Sequence, residues 1–199
     1  KESTRWWRYV SDVFFRELLT LSVSGGLCLD VGCGAGGFLC RFVRQTNCEG
    51  IGIDPMKEVG LMVFKGRVKK YHVSEKIGMI KGVGEYLPIK NASIPLCCMA
   101  STLDHVNNPK QVVSEIHRVL IDKGLFVLEQ EIVRRKRGCS DETHMNEFSL
   151  TDLEKLCERF RVDETKRLFN AVLRVPIIER LLDYSSVFKV VSEIYGMLI

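Results

Sequence analysis

The stretch Leu27-Cys-Leu-Asp-Val-Gly-Cys-Gly-Ala-Gly-Gly-Phe38 decides the fold of this chain. Residues 27 to 31 are apolar apart from Asp30, as in a strand buried on both faces. Phe38, Leu39, Arg41, Phe42 and Val43 then continue with helical character, so the intervening glycines mark a tight turn from strand to helix. In such a unit the glycines let the backbone approach a ligand closely, and the helix N-terminus faces it. The stretch therefore predicts a nucleotide-cofactor loop and the first unit of a wound α/β sheet.

Further units follow in order. Gly50-Ile-Gly-Ile-Asp54-Pro55 reads as a second short strand ending in an acid 24 positions beyond Asp30, a place from which a carboxylate accepts both ribose hydroxyls. Residues 55–72 read as a helix with a basic connection, Met79–Gly82 as a third strand and Leu96–Ser101 as a fourth. From Asn108 to Leu120 the apolar residues at 112, 113, 116, 119 and 120 have helical spacing; Lys123-Gly124 breaks it, and Leu125–Leu128 is the fifth strand. This alternation predicts a Rossmann-like, doubly wound, mostly parallel sheet with helices on both faces. Ahead of it, residues 6–21 read as an amphipathic helix in which Trp6 and Trp7 pack, with a lid over the ligand as the alternative role. Behind it, Ser149-Leu-Thr-Asp152 has the form of a capping box opening a helix through Phe160, and Arg161–Leu168 reads as a sixth strand. The tail from Pro176 is apolar with helical spacing in part and shows no clear seventh strand. Its expected role is packing on the fold, with a substrate-side lid or a membrane-touching helix as alternatives.

The 199 residues, 46% hydrophobic and 27% charged, fit a single domain with a substantial core. Its expected parts are an N-terminal helical cap (1–25), a cofactor-binding core (26–130) and a substrate-side C-terminal part (131–199). The net charge of +4 favours no nucleic-acid partner, and the run Arg134-Arg-Lys-Arg137 reads as a solvated loop. Eight cysteines show no CxxC and no paired histidine spacing, which argues against zinc, so no metal is expected. Cys28, Cys97 and Cys98 sit in apolar strand-like runs as small hydrophobes, which points to a reducing, cytoplasmic setting. No signal peptide opens the chain, whose first residues, Lys1-Glu-Ser-Thr, read as the start of a fragment, and no apolar run reaches the ~20 residues of a bilayer span.

The ligand is the open choice. Gly32-x-Gly34-x-x-Gly37 also satisfies the dinucleotide pattern. An acid two residues before the first glycine favours a ligand with an ammonium, which suits the amino-acid half of S-adenosylmethionine; a pyrophosphate has none. Asp30-x-Gly32-x-Gly34-x-Gly36 resembles motif I of the class I S-adenosylmethionine-dependent methyltransferases. The segment from Gly82-Val-Gly-Glu-Tyr-Leu-Pro through Leu103-Asp-His-Val-Asn-Asn-Pro109, followed by Arg118-Val-Leu-Ile-Asp-Lys-Gly124, is similar to the linked motifs of the type 11 group. The match runs in order from about residue 27 to residue 160. The resemblance implies that Gly32 and Gly34, with Cys33 between them, pack against the methionine part, that Asp30 supports its amine, and that Asp54 binds the ribose. Pro55 and Met56 would flank the adenine. That family usually has Asp at the position of Val83, so Gly84 and Glu85 would read the base here. Ser101 and Thr102 sit at the carboxyl end of the fourth strand, where such sheets place ligands. Gly37 reads as a packing residue.

Methyl transfer from a sulfonium mainly requires alignment of acceptor and methyl. For a hydroxyl acceptor the candidate bases are Asp104, His105 and His144. The expected activity is methylation of a small molecule such as a sugar hydroxyl or quinone, with S-adenosylhomocysteine as product. A nicotinamide-dependent oxidoreductase and a non-catalytic partner protein keeping the fold are the alternatives.

Overall fold

The computed structural model describes residues 15, 16, 18, 19, 26–56, 58–133, 144–167 and 184–193, the segments 162–167 and 184–193 as backbone. Its strands are β1 (Leu27–Val31), β2 (Glu49–Asp54), β3 (Ile77–Lys81), β4 (Ile94–Ala100), β5 (Leu120–Val133), β6 (Phe160–Arg167) and β7 (Tyr184–Glu193). Its helices are α1 (Gly37–Thr46), α2 (Glu58–Tyr71), α3 (Pro109–Val119) and α4 (Leu150–Leu156). The strands form one sheet in the order β3-β2-β1-β4-β5-β7-β6. β1 to β5 pair in parallel, and β7 runs antiparallel between β5 and β6.

Alternation along β1 divides the core. Leu29 and Val31 pack with Val112 and Ile116 of α3 and Leu153 of α4. Cys28 faces the other way, into a cluster with Leu39 and Phe42 of α1 and Phe64 of α2. Helices therefore cover both faces of the sheet, as predicted. Phe15 and Leu18 are helical and buried in the second cluster, with the Arg41 guanidinium 4.3 Å from the Phe15 ring centroid. Apart from Arg16 and Leu19, the rest of the predicted 6–21 helix, with Trp6 and Trp7, lies outside the described residues, as do Arg134–Arg137, Cys139 and the tail at 176–183 and 194–199.

Local chemistry sets the helix ends. The Asn108 side chain accepts the Gln111 amide at 3.1 Å and Pro109 occupies the first turn of α3. The predicted capping box is present, with Ser149 and Asp152 each accepting the other's backbone N–H. The helix it opens is shorter than expected. A turn in which the Phe160 amide donates to the Cys157 carbonyl delivers Phe160 into the core as the first residue of β6.

β5 is longer than the expected Leu125–Leu128. Lys123, at φ 60°, bends the strand, and the pairing with β4 shifts between Ile94 and Leu96, so the break becomes an irregularity within one strand. β7 is a further correction. Its pairing partners, Leu125–Val133 and Phe160–Arg167, lie far away in the chain, and a short apolar run alone does not separate a strand from a helix.

The Arg118-Val-Leu motif also acquires a physical role. The Arg118 guanidinium donates to the Leu87 and Ile89 carbonyls at 2.9 and 2.8 Å, while Glu115 accepts the Leu87 amide at 2.8 Å. The hydrogen bond from Arg118 holds the Glu115 carboxyl below its ordinary range. This pair pins the loop between β3 and β4, which carries Gly84 and Glu85.

Candidate active site

After β1 the chain passes to β2 and β3 on one side, and after β4 to β5 on the other. Ligands of wound sheets bind in the crevice outside the strand ends at such a switch point. Here a cleft of about 480 Å³ is lined by Gly32, Asp54, Pro55, Gly84, Glu85, Ser101, Thr102 and His105.

The glycine turn forms one wall. The Gly32 and Cys33 amides both donate to the Ile53 carbonyl, and the Gly34 amide donates to Asp54 Oδ2 at 2.8 Å. The end of β2 therefore holds the turn that follows β1. Gly32 has φ +72°, and a Cβ there would lie 2.0 Å from Thr102 Cγ2; Gly34 has φ +50° but open space around it. Gly32→Ala is thus expected to cost at least about 3 kcal/mol, from the left-handed backbone and the clash together. Gly34→Ala should cost only about 1–2 kcal/mol. Urea denaturation of the two variants checks the difference, and equal losses would contradict it.

Asp30 is 3% exposed under this wall. Burial, and secondarily the neighbouring Asp54 carboxylate, push its carboxyl up to about 7. The Cys33 thiol turns under the loop, where Gly52 leaves it room and Met79 Sδ lies 3.5 Å away. Burial, then Asp30 and Asp54, push that thiol far above its usual range. Gly36 and Gly37 face Phe64 and Arg67 of α2, so they serve helix packing.

Several polar groups in the cleft are already engaged. Glu85 is buried, and its Oε1 accepts the Asn107 and Asn108 amides at 2.9 and 3.1 Å. The Ser101 hydroxyl donates to Glu129 Oε2 at 2.6 Å, with Ser101 held at φ 46°. Thr102 Oγ1 donates to the Ala100 carbonyl at 2.8 Å. Val83 is 39% exposed at the cleft, whereas Met56 lies over Gly60 of α2.

Beyond Thr102 a single 3-10 turn, Leu103–His105, carries Asp104 and His105. The carbonyl of Asp104 accepts the Met145 and Asn146 amides at 2.8 and 3.1 Å, and the Asn146 side-chain amide donates to the Val106 carbonyl at 2.7 Å. These bonds bring His144 beside the turn. Asp104 Oδ2 lies 3.9 Å from His105 Nε2 and 3.7 Å from His144 Nε2. All three sequence candidates therefore meet at one place.

The match to known families now has a structural frame. Residues 29–128 match the family profile described as "Methyltransferase domain". The chain belongs to this methyltransferase family. Sterol 24-C-methyltransferase ERG6 of Saccharomyces cerevisiae is 28% identical over 163 residues, covering 80% of this chain and 42% of the yeast protein. The chain thus spans less than half of that relative. Among solved structures, the [4+2]-cyclase SpnF superposes with a TM-score of 0.78 at 16% identity, over 94% of this chain and 81% of its own. Geranyl diphosphate C-methyltransferase from Streptomyces coelicolor A3(2), in complex with S-adenosyl-L-homocysteine, gives 0.78 at 13% identity, over 92% and 77%. At these identities the two structures establish the fold, which is that of the class I methyltransferases.

In this methyltransferase domain, the sequence reading missed the polar end of β5. Glu129 and Gln130 are buried, and Gln130 Oε1 accepts the Leu103 amide at 3.2 Å. Burial, then Asp104 and Glu129, push the Glu131 carboxyl above its usual range, with His144 pulling the other way. The signal was a Glu-Gln-Glu triplet inside an otherwise apolar strand, because buried charges need a local reason.

Proposed function

We propose that this domain transfers the methyl group of S-adenosylmethionine to a small-molecule acceptor. The observation that carries the reading is one cleft at the switch point lined by Gly32, Asp54, Ser101, Thr102 and His105, with the Gly34 amide bonded to Asp54. Asp54 is assigned to the ribose hydroxyls, Asp30 to the ammonium, and Gly32 and Gly34 to the methionine chain. Pro55, Met56 and the Gly84 backbone are assigned to the adenine, with Glu85 shaping that loop through Asn107 and Asn108. Cys33 contributes by its backbone, since its thiol is turned away. Ser101 and Thr102 form the floor near the sulfonium.

The acceptor enters beside Asp104, His105 and His144. Held by its assigned residues, S-adenosylmethionine would supply an electrophilic methyl group to the acceptor oxygen, the new carbon–oxygen bond replacing the carbon–sulfur bond and S-adenosylhomocysteine being released as a neutral thioether. The acceptor proton departs on the histidine side. A hydroxylated metabolite, such as a sugar or quinol, suits this arrangement. The seven cysteines among the described residues are buried free thiols, which supports a reducing, cytoplasmic setting. Among the described residues no helix is long and apolar enough to cross a membrane.

The reading is tested by incubating the chain with methyl-labelled S-adenosylmethionine and a panel of hydroxylated acceptors. The expected result is label transfer with matching S-adenosylhomocysteine, reduced about 10²-fold or more by His105→Ala. A His105→Ala enzyme that turns over normally would remove the histidine side from the assignment.

A further inference from the structure

We propose that Asp104, His105 and His144 form a binding site for a divalent transition-metal ion beside the methyl-transfer cleft. One ligand atom from each of the three lies within 4.8 Å of the others. The distances from Asp104 Oδ2 to the two imidazole nitrogens, 3.7 and 3.9 Å, are too long for hydrogen bonds. They are also nearly equal. Donors bound to one ion at 2.0–2.2 Å stand about 3–3.5 Å apart, so each imidazole needs to close on the carboxylate by only a few tenths of an ångström, and the two imidazoles to approach each other from within 4.8 Å, to share an ion.

A second observation points to a missing ligand. Asp104 is 7% exposed, and its Oδ1 is buried with no hydrogen-bond partner. An unsatisfied carboxylate oxygen is costly to bury, and a cation relieves that cost. The site is also held in place from outside the trio. The Met145 and Asn146 amides bond the Asp104 carbonyl, and Asn146 bonds Val106, which fixes the backbone on either side of the ligands.

Two imidazoles and one carboxylate, without a thiolate, suit a borderline ion such as Zn²⁺ or Co²⁺ better than Mg²⁺ or Ca²⁺, which take oxygen ligands. Three protein ligands leave an open position. Because His105 also lines the cleft, that position faces the proposed acceptor. An acceptor hydroxyl bound there would lose its proton to solvent more readily, as water does on zinc. This last role rests on the methyl-transfer reading; the binding of the ion does not.

The test uses the full chain, stripped by a chelator and titrated with Zn²⁺ by calorimetry and with Co²⁺ by absorption. A single site is expected, with affinity reduced at least about tenfold in both Asp104→Asn and His144→Ala. The wild-type Co²⁺ spectrum should lack sulfur-to-metal charge transfer, which separates this site from the cysteines. Urea denaturation of both variants, measured in parallel, checks folding, and S-adenosylhomocysteine affinity is measured on the wild type. Failure of the wild type to bind either ion, undiminished binding by His144→Ala, or a thiolate spectrum would overturn the site. If the wild type binds the metal but not S-adenosylhomocysteine, the metal site stands and the methyl-donor reading fails.

Discussion

Asp54→Ala is expected to weaken S-adenosylmethionine binding by about 10²- to 10⁴-fold, since two hydrogen bonds to a charged group are lost at about 1.5–3 kcal/mol each. The carboxylate has a second task. Its Oδ2 accepts the Gly34 amide at 2.8 Å, so its removal also frees the turn that faces the methionine chain. Asp54→Asn keeps an oxygen that can accept that amide but loses the charge, and an intermediate loss is expected. Calorimetric titration of the three proteins at one pH orders them. An Asp54→Ala affinity within about threefold of wild type would refute the ribose assignment.

Asp30→Asn should stabilise the domain without ligand while weakening its hold on the donor. The folded carboxyl titrates at about 7 against an ordinary 3.8, because of burial and then Asp54. Below about pH 4 both folded and unfolded chains carry the proton, and Asp30 has no charge penalty. Between 4 and 7 the unfolded chain releases its proton first, so stability is progressively lost as pH rises. Above 7 the buried charge costs about 4 kcal/mol, the free energy of a shift of about three pKa units. The gain from Asp30→Asn should therefore be small at pH 4 and reach a few kcal/mol at pH 8, as an upper figure, in urea titrations. Equal gains at both pH values would refute the burial argument. In the wild type, the ammonium proposed to bind beside Asp30 would lower its pKa again, so donor binding near pH 6.5 should release part of a proton. Calorimetry in buffers of different ionisation heat reads that proton directly.

Both acids stand out in the sequence because they lie at or near strand ends beside glycines; the structure places Asp54 in the cleft and Asp30 buried beneath the glycine turn. The order from β1 to β5 was equally legible, since alternating apolar strands and helices admit few windings. β7 was not, because its partners lie far along the chain and its residues carry no helix-excluding signal. At the cleft, the sequence pattern carries residue positions but not what their atoms bond to. For Ser101, Glu85 and Cys33, it is Glu129, the Asn107 and Asn108 amides, and Met79 with Gly52 that take up their polar atoms or their space. Those partners come from other elements. The meeting of His144 with Asp104 was unreadable for the same reason, since it depends on amides 145 and 146 finding a carbonyl some forty residues earlier.

The most direct test of the central claim is calorimetric titration of the wild-type chain with S-adenosylmethionine and, separately, with NADH. The proposed reading predicts saturable binding of the methyl donor at a single site, proton release near pH 6.5, and no binding of NADH. Heats from NADH alone, or from neither ligand, would contradict it.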